Sequence, residues 1–283
     1  HIVTILPKEI TITEAASFVV GGPYGHKYYE DQLHKRIKAR NPRIEHATYS
    51  TLTAVKESLP VVSKPESNNV IDWTVALYIN QMRAKVLTLD QKEVDGANVE
   101  RFRKEAVTAI SKFHNSDGGF AWFDGMPSSE RITLFFLEKM AQLRDFGAIE
   151  FSEAEKQLVE GAVGYIDGRI RESYSRTGYN SFNFIDRFYV RSHYLEYQMK
   201  GKVSTAFSKF LSETANGWQK IAILNKVRLA HILLNCKGTG FWSKKFDSRI
   251  TDLTASLKDY AVVNPTIGCY FPNAVMPFRG LMT

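Results

Sequence analysis

From about Thr48 to Tyr260, apolar residues recur three and four positions apart, the spacing that stacks side chains along one face of an α-helix. Leu52, Val55 and Leu59 form a first stripe, which Pro60 interrupts. Ile71, Val75 and Ile79 follow, with Tyr78, Met82 and Val86 alongside. Val99, Phe102, Ala106, Ala109, Ile110 and Phe113 predict the next helix, and Ile132, Phe136, Met140 and Leu143 another. Ser152-Glu153-Ala154-Glu155 is a capping box that opens a helix carrying Leu158, Ala162, Tyr165 and Ile166. Four further stripes are Ile185-Phe188-Tyr189-Leu195, Val203-Phe207-Phe210-Leu211, Ile223-Val227-Ala230-Leu234 and Ile250-Leu253-Leu257-Tyr260. The opening of the chain is patterned differently. Ile2–Leu6, Ile10–Thr13 and Ser17–Val20 are short β-branched runs bounded by Pro7 and Gly21-Gly22-Pro23, and they predict strands. Residues 24–47 have no steady period and read as a connection or a further strand.

The connections between helices share a character. Asp117-Gly118-Gly119-Phe120-Ala121-Trp122-Phe123, Asn216-Gly217-Trp218 and Gly238-Thr239-Gly240-Phe241-Trp242 each place an aromatic residue after glycine. Glycine admits a left-handed turn, and the aromatic ring can then fold back to plug the end of a helical layer. This weak internal repeat is expected of helical hairpins stacked around a ring.

Composition narrows the class without naming it. With 283 residues, 44% of them hydrophobic and 24% charged, the chain is neither collagen-like nor disordered. Lys and Arg number 37 against 30 Asp and Glu, a formal charge of +7. The basic residues are scattered, and the densest run, residues 35–40, has no interleaved aromatics, so a nucleic-acid partner is not indicated. Cys236 and Cys269 have no second ligand at metal spacing and do not make a disulfide framework; they read as small buried hydrophobes. No apolar run approaches the roughly 20 residues of a membrane span. The chain starts at His1 without an initiator Met or a signal-peptide pattern and stops in an apolar, turn-rich stretch, so it is expected to be an excerpt of a longer polypeptide.

The most chemical-looking segment is Asp186–Tyr197. On a continuous helix Tyr189, His193 and Tyr197 would share a face at i, i+4 and i+8, with Asp186 a turn earlier and Arg187, Arg191 and Tyr194 adjacent. Phenols and an imidazole can move protons, and an arginine can neutralise a uronate, so Tyr189, Arg191, His193 and Tyr197 are the candidate catalytic set of a polysaccharide lyase or other carbohydrate-active enzyme. The alternative is aromatic packing with the polar tips bonded to neighbours. Asp117 and Asp124 could be the acid and base of an inverting glycosidase but suit turn roles better. His26, His34 and His46 lack zinc spacing, and Gly21–Gly25 lacks the Lys-Ser/Thr of a phosphate loop. No cofactor or metal is expected.

Asp117-Gly-Gly-Phe-Ala-Trp-Phe-Asp-Gly-Met-Pro-Ser-Ser-Glu-Arg-Ile-Thr133 resembles the Asp-Gly-Gly-Phe-x-Trp-Phe…Ser…Ile-Thr stretch of the bacterial alpha-2-macroglobulin family. Tyr49 to Pro60, Pro65 to Ile71 and Ala76 to Asn80 resemble the segment around that family's thioester. Tyr270 to Leu281 is similar to a stretch of Bacteroidetes-type members. The family's Pro-Tyr-Gly-Cys-x-Glu-Gln forms an internal thioester from Cys and Gln. In the matching register Asn68 stands at the Cys, Val70 at the Glu and Ile71 at the Gln, and the window contains neither Cys nor Gln.

The resemblance implies a mainly α chain: an α/α-toroid of helical hairpins over residues 48–283, preceded over residues 1–47 by a short β segment from another domain. About twelve helices of roughly 11–15 residues each, together with their loops, need more chain than follows Thr48, so an incomplete or open ring is expected. The implied function is non-catalytic: a domain without a thioester in a periplasmic or cell-surface protein that traps proteases. Its partners would be proteases, met through the full-length protein, and neighbouring β-domains. A cell-surface interaction scaffold is a further alternative to the carbohydrate-active enzyme.

Overall fold

The computed structural model describes residues 28, 30, 31, 34, 35, 64–177, 181–264 and 268–272. The chain divides into two compact units, residues 48–257 with 276–283, and residues 1–47 with 258–275.

The larger unit is mainly helical in its described residues. Its helices are α1 (Val70–Leu89), α2 (Gly96–Ser111), α3 (Glu130–Asp145), α4 (Glu153–Thr177), α5 (Ser181–Ser192), α6 (Lys202–Gly217), α7 (Ile223–Asn235) and α8 (Lys245–Tyr260, of which residues 258–260 fall in the smaller unit), with a 3₁₀ turn at Trp218–Lys220. Successive helices pair as hairpins, α1 with α2, α3 with α4, and α5 with α6. Contacts also skip one helix. The odd-numbered helices touch in the order α1–α3–α5–α7 and the even-numbered ones in the order α2–α4–α6. The hairpins therefore stand side by side in two layers, and apolar surface is buried between the layers as well as within each.

Local chemistry sets where these helices begin. Asn69 caps α1, its side-chain oxygen accepting from the Asp72 N–H at 3.0 Å, and Asp95 does the same for α2 through the Asn98 N–H. The capping box forms at α4. Glu155 Oε2 accepts from the Ser152 N–H at 2.8 Å, and Ser152 Oγ accepts from the Glu155 N–H at 3.4 Å. Glu155 is buried, and Arg103 of α2 pairs with it, so the cap also ties two even-numbered helices together.

The expected stripes Ile132-Phe136-Met140-Leu143 and Val203-Phe207-Phe210-Leu211 are buried in full. Phe188 of α5 packs against Phe207 and Phe210 of α6, each with ring centroids 5.0 Å away. Two stripes are corrected. In α7 the buried apolar side is Leu229, Ile232, Leu233 and Cys236; of the expected stripe Ala230 is buried, Ile223 and Val227 are half-buried, and Leu234 is exposed. Apolar residues surround that helix, so spacing alone did not select the face. In α1 the deepest side is Val70, Trp73, Leu77 and Gln81, offset from Ile71-Val75-Ile79, which is only partly covered.

Tyr28, Glu30, Asp31, His34 and Lys35 of the smaller unit are helical, where the sequence pattern suggested a connection or strand. These residues, all but one of them polar, include no β-branched side chain to oppose helix formation. The same unit holds an unforeseen hairpin, β1 (Val262–Asn264) antiparallel to β2 (Gly268–Tyr270), with Val263 opposite Cys269. The β-branched pair Val262-Val263 before Asn264-Pro265 was its signal. The strands expected over residues 2–20, the stripe at residues 52–59, Gly21–Gly25, His26 and His46 lie outside the described residues. Among the described residues no helix is long and apolar enough to cross a membrane.

Candidate functional site

The three thioester-register residues sit at the first turn of α1. Asn68 precedes the cap and accepts from the Trp73 indole N–H at 3.1 Å. Val70 is buried, and its N–H donates to the Trp122 carbonyl at 3.2 Å. Ile71 packs against the core. Their side chains therefore offer an amide and two hydrocarbons. Cys236 is the buried C-cap of α7, its thiol pushed up to about 12 by desolvation, and Cys269 is exposed on β2. Cys236 is not among the residues that line the cleft beside Asn68.

The strand-like run that receives Val70 belongs to the glycine-aromatic connection, which is braced from within. Asp117 Oδ1 accepts from the Gly119 N–H at 2.9 Å and from Ser128 Oγ at 2.6 Å. Asn115 Nδ2 donates to Ser128 Oγ and to the Met126 carbonyl, both at 3.0 Å. The Phe120 N–H donates to Thr133 Oγ1 of α3 at 2.9 Å. Gly118 has φ +84°, and a Cβ there would collide with the Gly161 carbonyl of α4. Phe120 is fully buried, 4.3 Å from Phe136, so it does plug the layer as expected. Trp122 and Phe123 then turn outward, stacked with planes 2° apart and exposed by 41% and 46%. Desolvation works against ionisation of Asp117, but the bonds from Ser128 and Gly119 hold its carboxyl below the ordinary range. Asp117 is thus a turn-forming residue, and Asp124 lies exposed in the same loop. Of the related connections, Gly238 also has positive φ (+81°), whereas Gly217 (φ −105°) ends α6, so that motif is no turn of the same kind.

Beside Asn68 runs an open cleft of about 660 Å³ whose walls include Lys64, Glu66, Trp73, Lys104, Glu105 and Lys112. Its mixed charge distinguishes it from the mostly apolar pockets that enclose small ligands.

The Asp186–Tyr197 segment is not one helix. α5 ends at Ser192, so Tyr197 leaves the face it was expected to share with Tyr189 and His193. Arg191 is the physical reason. Its guanidinium, fully buried, pairs with Asp167 of α4 at 2.8 Å and donates to the carbonyls of Tyr194 and Tyr197. Drawing those carbonyls inward converts the helix end into tight turns closed by bonds from His193 N–H to Val190 and from Tyr194 N–H to Arg191. Arg191 is therefore occupied and not presented to a ligand. Tyr194, also fully buried, donates to the Leu137 carbonyl at 2.6 Å. Asp186 accepts from Arg228, Arg187 from α5 pairs with Glu130, and His193 Nδ1 lies 2.7 Å from Asp145 Oδ2. Tyr189 and His193 do meet, edge-on at 5.2 Å, and the neighbour that sequence spacing did not supply is His231 of α7. Among the described residues no group of three or more His, Cys, Asp or Glu side chains is arranged to hold a metal.

The class defined so far is a two-layered array of α-hairpins whose best-built loop docks on the first turn of α1. No family model and no curated protein matches the sequence. Among solved structures, the chain is similar to native alpha-2-macroglobulin of Escherichia coli spanning domain MG7 to the C-terminus, at 11% identity and TM-score 0.45, over 72% of this chain and 31% of that one. It is similar at the same identity and TM-score to the native conformation of the E. coli protein, covering 72% of this chain and 12% of that one. The chain thus spans about a third and an eighth of the lengths of those two structures.

Proposed function

We propose that this chain is the helical domain of a bacterial alpha-2-macroglobulin-like protein that works without a thioester, as a docking body and not as an enzyme. One observation carries the reading. The thioester-register segment and the Asp-Gly-Gly-Phe-x-Trp loop, motifs far apart in sequence, meet through the Val70 N–H and the Trp122 carbonyl. Two motifs picked out separately by their resemblance to one family converge on a single turn of helix. The alternation of odd and even helices is the packing an α/α-toroid requires, and the described hairpins would form an arc of such a ring.

In that register Asn68 has no thiol, and neither Val70 nor Ile71 has a glutaminyl carbonyl, so no acyl-sulfur bond can form there. Protease capture would then rest on cleavage of a bait segment elsewhere in the longer protein, followed by conformational collapse. Steric caging needs no covalent link, because a caged protease is closed to large substrates while small ones still diffuse in. The protein would act in the periplasm or at the cell surface, with this domain held to neighbouring β-domains by apolar burial at about 25 cal/mol per Å². Trp122 and Phe123 are candidate contacts for that docking.

The test uses the full-length parent protein mixed with an endoprotease. The expected result is inhibition towards a large protein substrate with activity retained on a small peptide; equal activity on both removes the inhibitor reading and leaves an interaction scaffold. A thiol assay before and after methylamine treatment is expected to show no newly released thiol, and release of one would overturn the thioester-free reading.

A further inference from the structure

Where α6 gives way to α7, polar atoms are buried without the bonds that burial demands. Thr214, in the last turn of α6, is 5% exposed, and Trp218 follows four residues later on the same side. Among the described residues, neither Thr214 Oγ1 nor the Trp218 indole N–H has a hydrogen-bond partner, although both atoms are shielded from solvent. The indole can only donate, and the hydroxyl has a donor to offer, so the pair calls for an acceptor.

The third group is a cation. Lys226, 3% exposed, stands in the opening turn of α7. Its ammonium lies 5.2 Å from the centre of the Trp218 ring and donates to Ser256 Oγ of α8 at 3.0 Å. Helical side chains lean towards the N-terminus, which carries this ammonium back towards the start of α7. That start has no side-chain cap, because Ala222 at the cap position offers no acceptor. A helix start is the positive end of the backbone dipole, and the lysine adds a full charge, so this corner of the fold favours an anion. The nearest carboxylates along α6 and α8 are turned elsewhere: Glu213 to Lys209 at 3.7 Å and Asp252 to Arg249 at 3.2 Å.

We propose that Thr214, Trp218, Lys226 and Ser256 hold a small carboxylate, formate or acetate in size, where α6, α7 and α8 meet. Lys226 supplies the charge, and the Thr214 hydroxyl and Trp218 indole supply directed bonds. Ser256, which accepts from Lys226, has its own hydroxyl proton to donate onward. A carboxylate suits donors drawn from three elements, because its two oxygens accept from several directions, whereas a single-atom ion must be reached by all of them at one point. The burial of Thr214 and Lys226 restricts the ligand to a few atoms. None of these residues belongs to the Asp117 loop or the first turn of α1, so the site stands apart from the docking role proposed above.

NMR of the indole N–H protons tests it, with sodium formate replacing sodium fluoride at constant ionic strength. The Trp218 signal, assigned by its loss in Trp218→Phe, should move downfield and saturate. The Trp73 signal, whose N–H is already bonded to Asn68, should stay in place. Lys226→Met should weaken the apparent affinity by about tenfold or more, and Thr214→Val, which removes a hydroxyl and keeps the branched shape, several-fold. An unchanged Trp73 signal in each variant shows that the fold is kept, and Thr214→Val carries the test if Lys226→Met loses it. No shift with formate, a shift that never saturates, wild-type affinity in Thr214→Val, or saturation by chloride as readily as by formate would each overturn the proposal.

Discussion

The turn around Asp117 and the end of α5 are built from the same kinds of residue, yet they direct their chemistry in opposite ways. At the end of α5 the polar groups are consumed inward: Arg191, Tyr194 and Asp167 satisfy one another and nearby carbonyls, and what the segment shows to solvent is largely incidental. In the Asp117 turn the polar groups brace the backbone so that Phe120 goes in and Trp122 and Phe123 come out. The lesson concerns reactive-looking residue types. A buried arginine with a full set of acceptors is a fastening, whereas two stacked aromatics left in solvent by a rigid loop need an explanation outside the unit that bears them.

The largest effect should come from Arg191→Met. It strands the Asp167 carboxylate and two helix-end carbonyls in a buried site, and a loss of about 3–5 kcal/mol in urea unfolding is expected. Arg191→Lys should recover little, because an ammonium cannot hold the carboxylate and both carbonyls with one planar fork. Near-wild-type stability in either variant would break the contrast by showing that the α5 end is not a fastening. Next is Gly118→Ala, which needs a left-handed backbone at φ +84° and drives a methyl into the Gly161 carbonyl. About 2–4 kcal/mol should be lost, with exchange at the Val70 amide accelerating before that of α6. If α1 and α6 respond together, the loop is part of one cooperative core and not a separately braced platform.

How much of this was legible depended on what competes with periodicity. The stripe Ile132-Phe136-Met140-Leu143 could be read because its large apolar residues keep the three- and four-residue spacing without a break, and all four are buried. α7 misled because Leu233 and Leu234 are adjacent and equally apolar, and the choice between them is made by which neighbours α7 meets. The capping box at Ser152 was legible because its two bonds are local. The break after Ser192 was not, since its cause is Asp167, a carboxylate of another helix, acting with Arg191 on carbonyls that no side-chain pattern encodes. The same holds for His231, which joins Tyr189 only through the packing of α5 on α7. The meeting of Val70 with Trp122 was foreseeable only as two motifs in one family order, not as a contact.

A smaller effect, in pH and not in overall stability, should follow from Asp117→Asn. The wild-type carboxyl is held below its ordinary range by Ser128 and the Gly119 N–H, so its contribution is present above the unfolded carboxylate value and is lost as pH falls through the folded one. The Asn oxygen can still accept from Gly119, so the turn survives at neutral pH while the acid-dependent part of loop protection disappears. An unchanged acid profile in D117N would assign that dependence to another carboxylate, Asp145 beside His193 being the first to examine.

The smallest stability change and the sharpest test of the comparison come from Trp122→Ser. Trp122 is exposed by 41% and, among the described residues, stacks only on Phe123, itself exposed, so removal should shift unfolding by no more than about 0.5 kcal/mol. Its carbonyl, which holds Val70, is a backbone group and remains in place. Any loss of function in W122S would then be a loss of contact with something outside this unit. In the longer protein proposed above, the expected signature is faster proteolysis of the segments joining this chain to its neighbours, together with unchanged melting of the isolated chain. Equal proteolysis of variant and wild type would leave the outward aromatics without a docking role. A large destabilisation would show instead that they belong to the core, and the two regions would no longer differ in the direction their side chains serve.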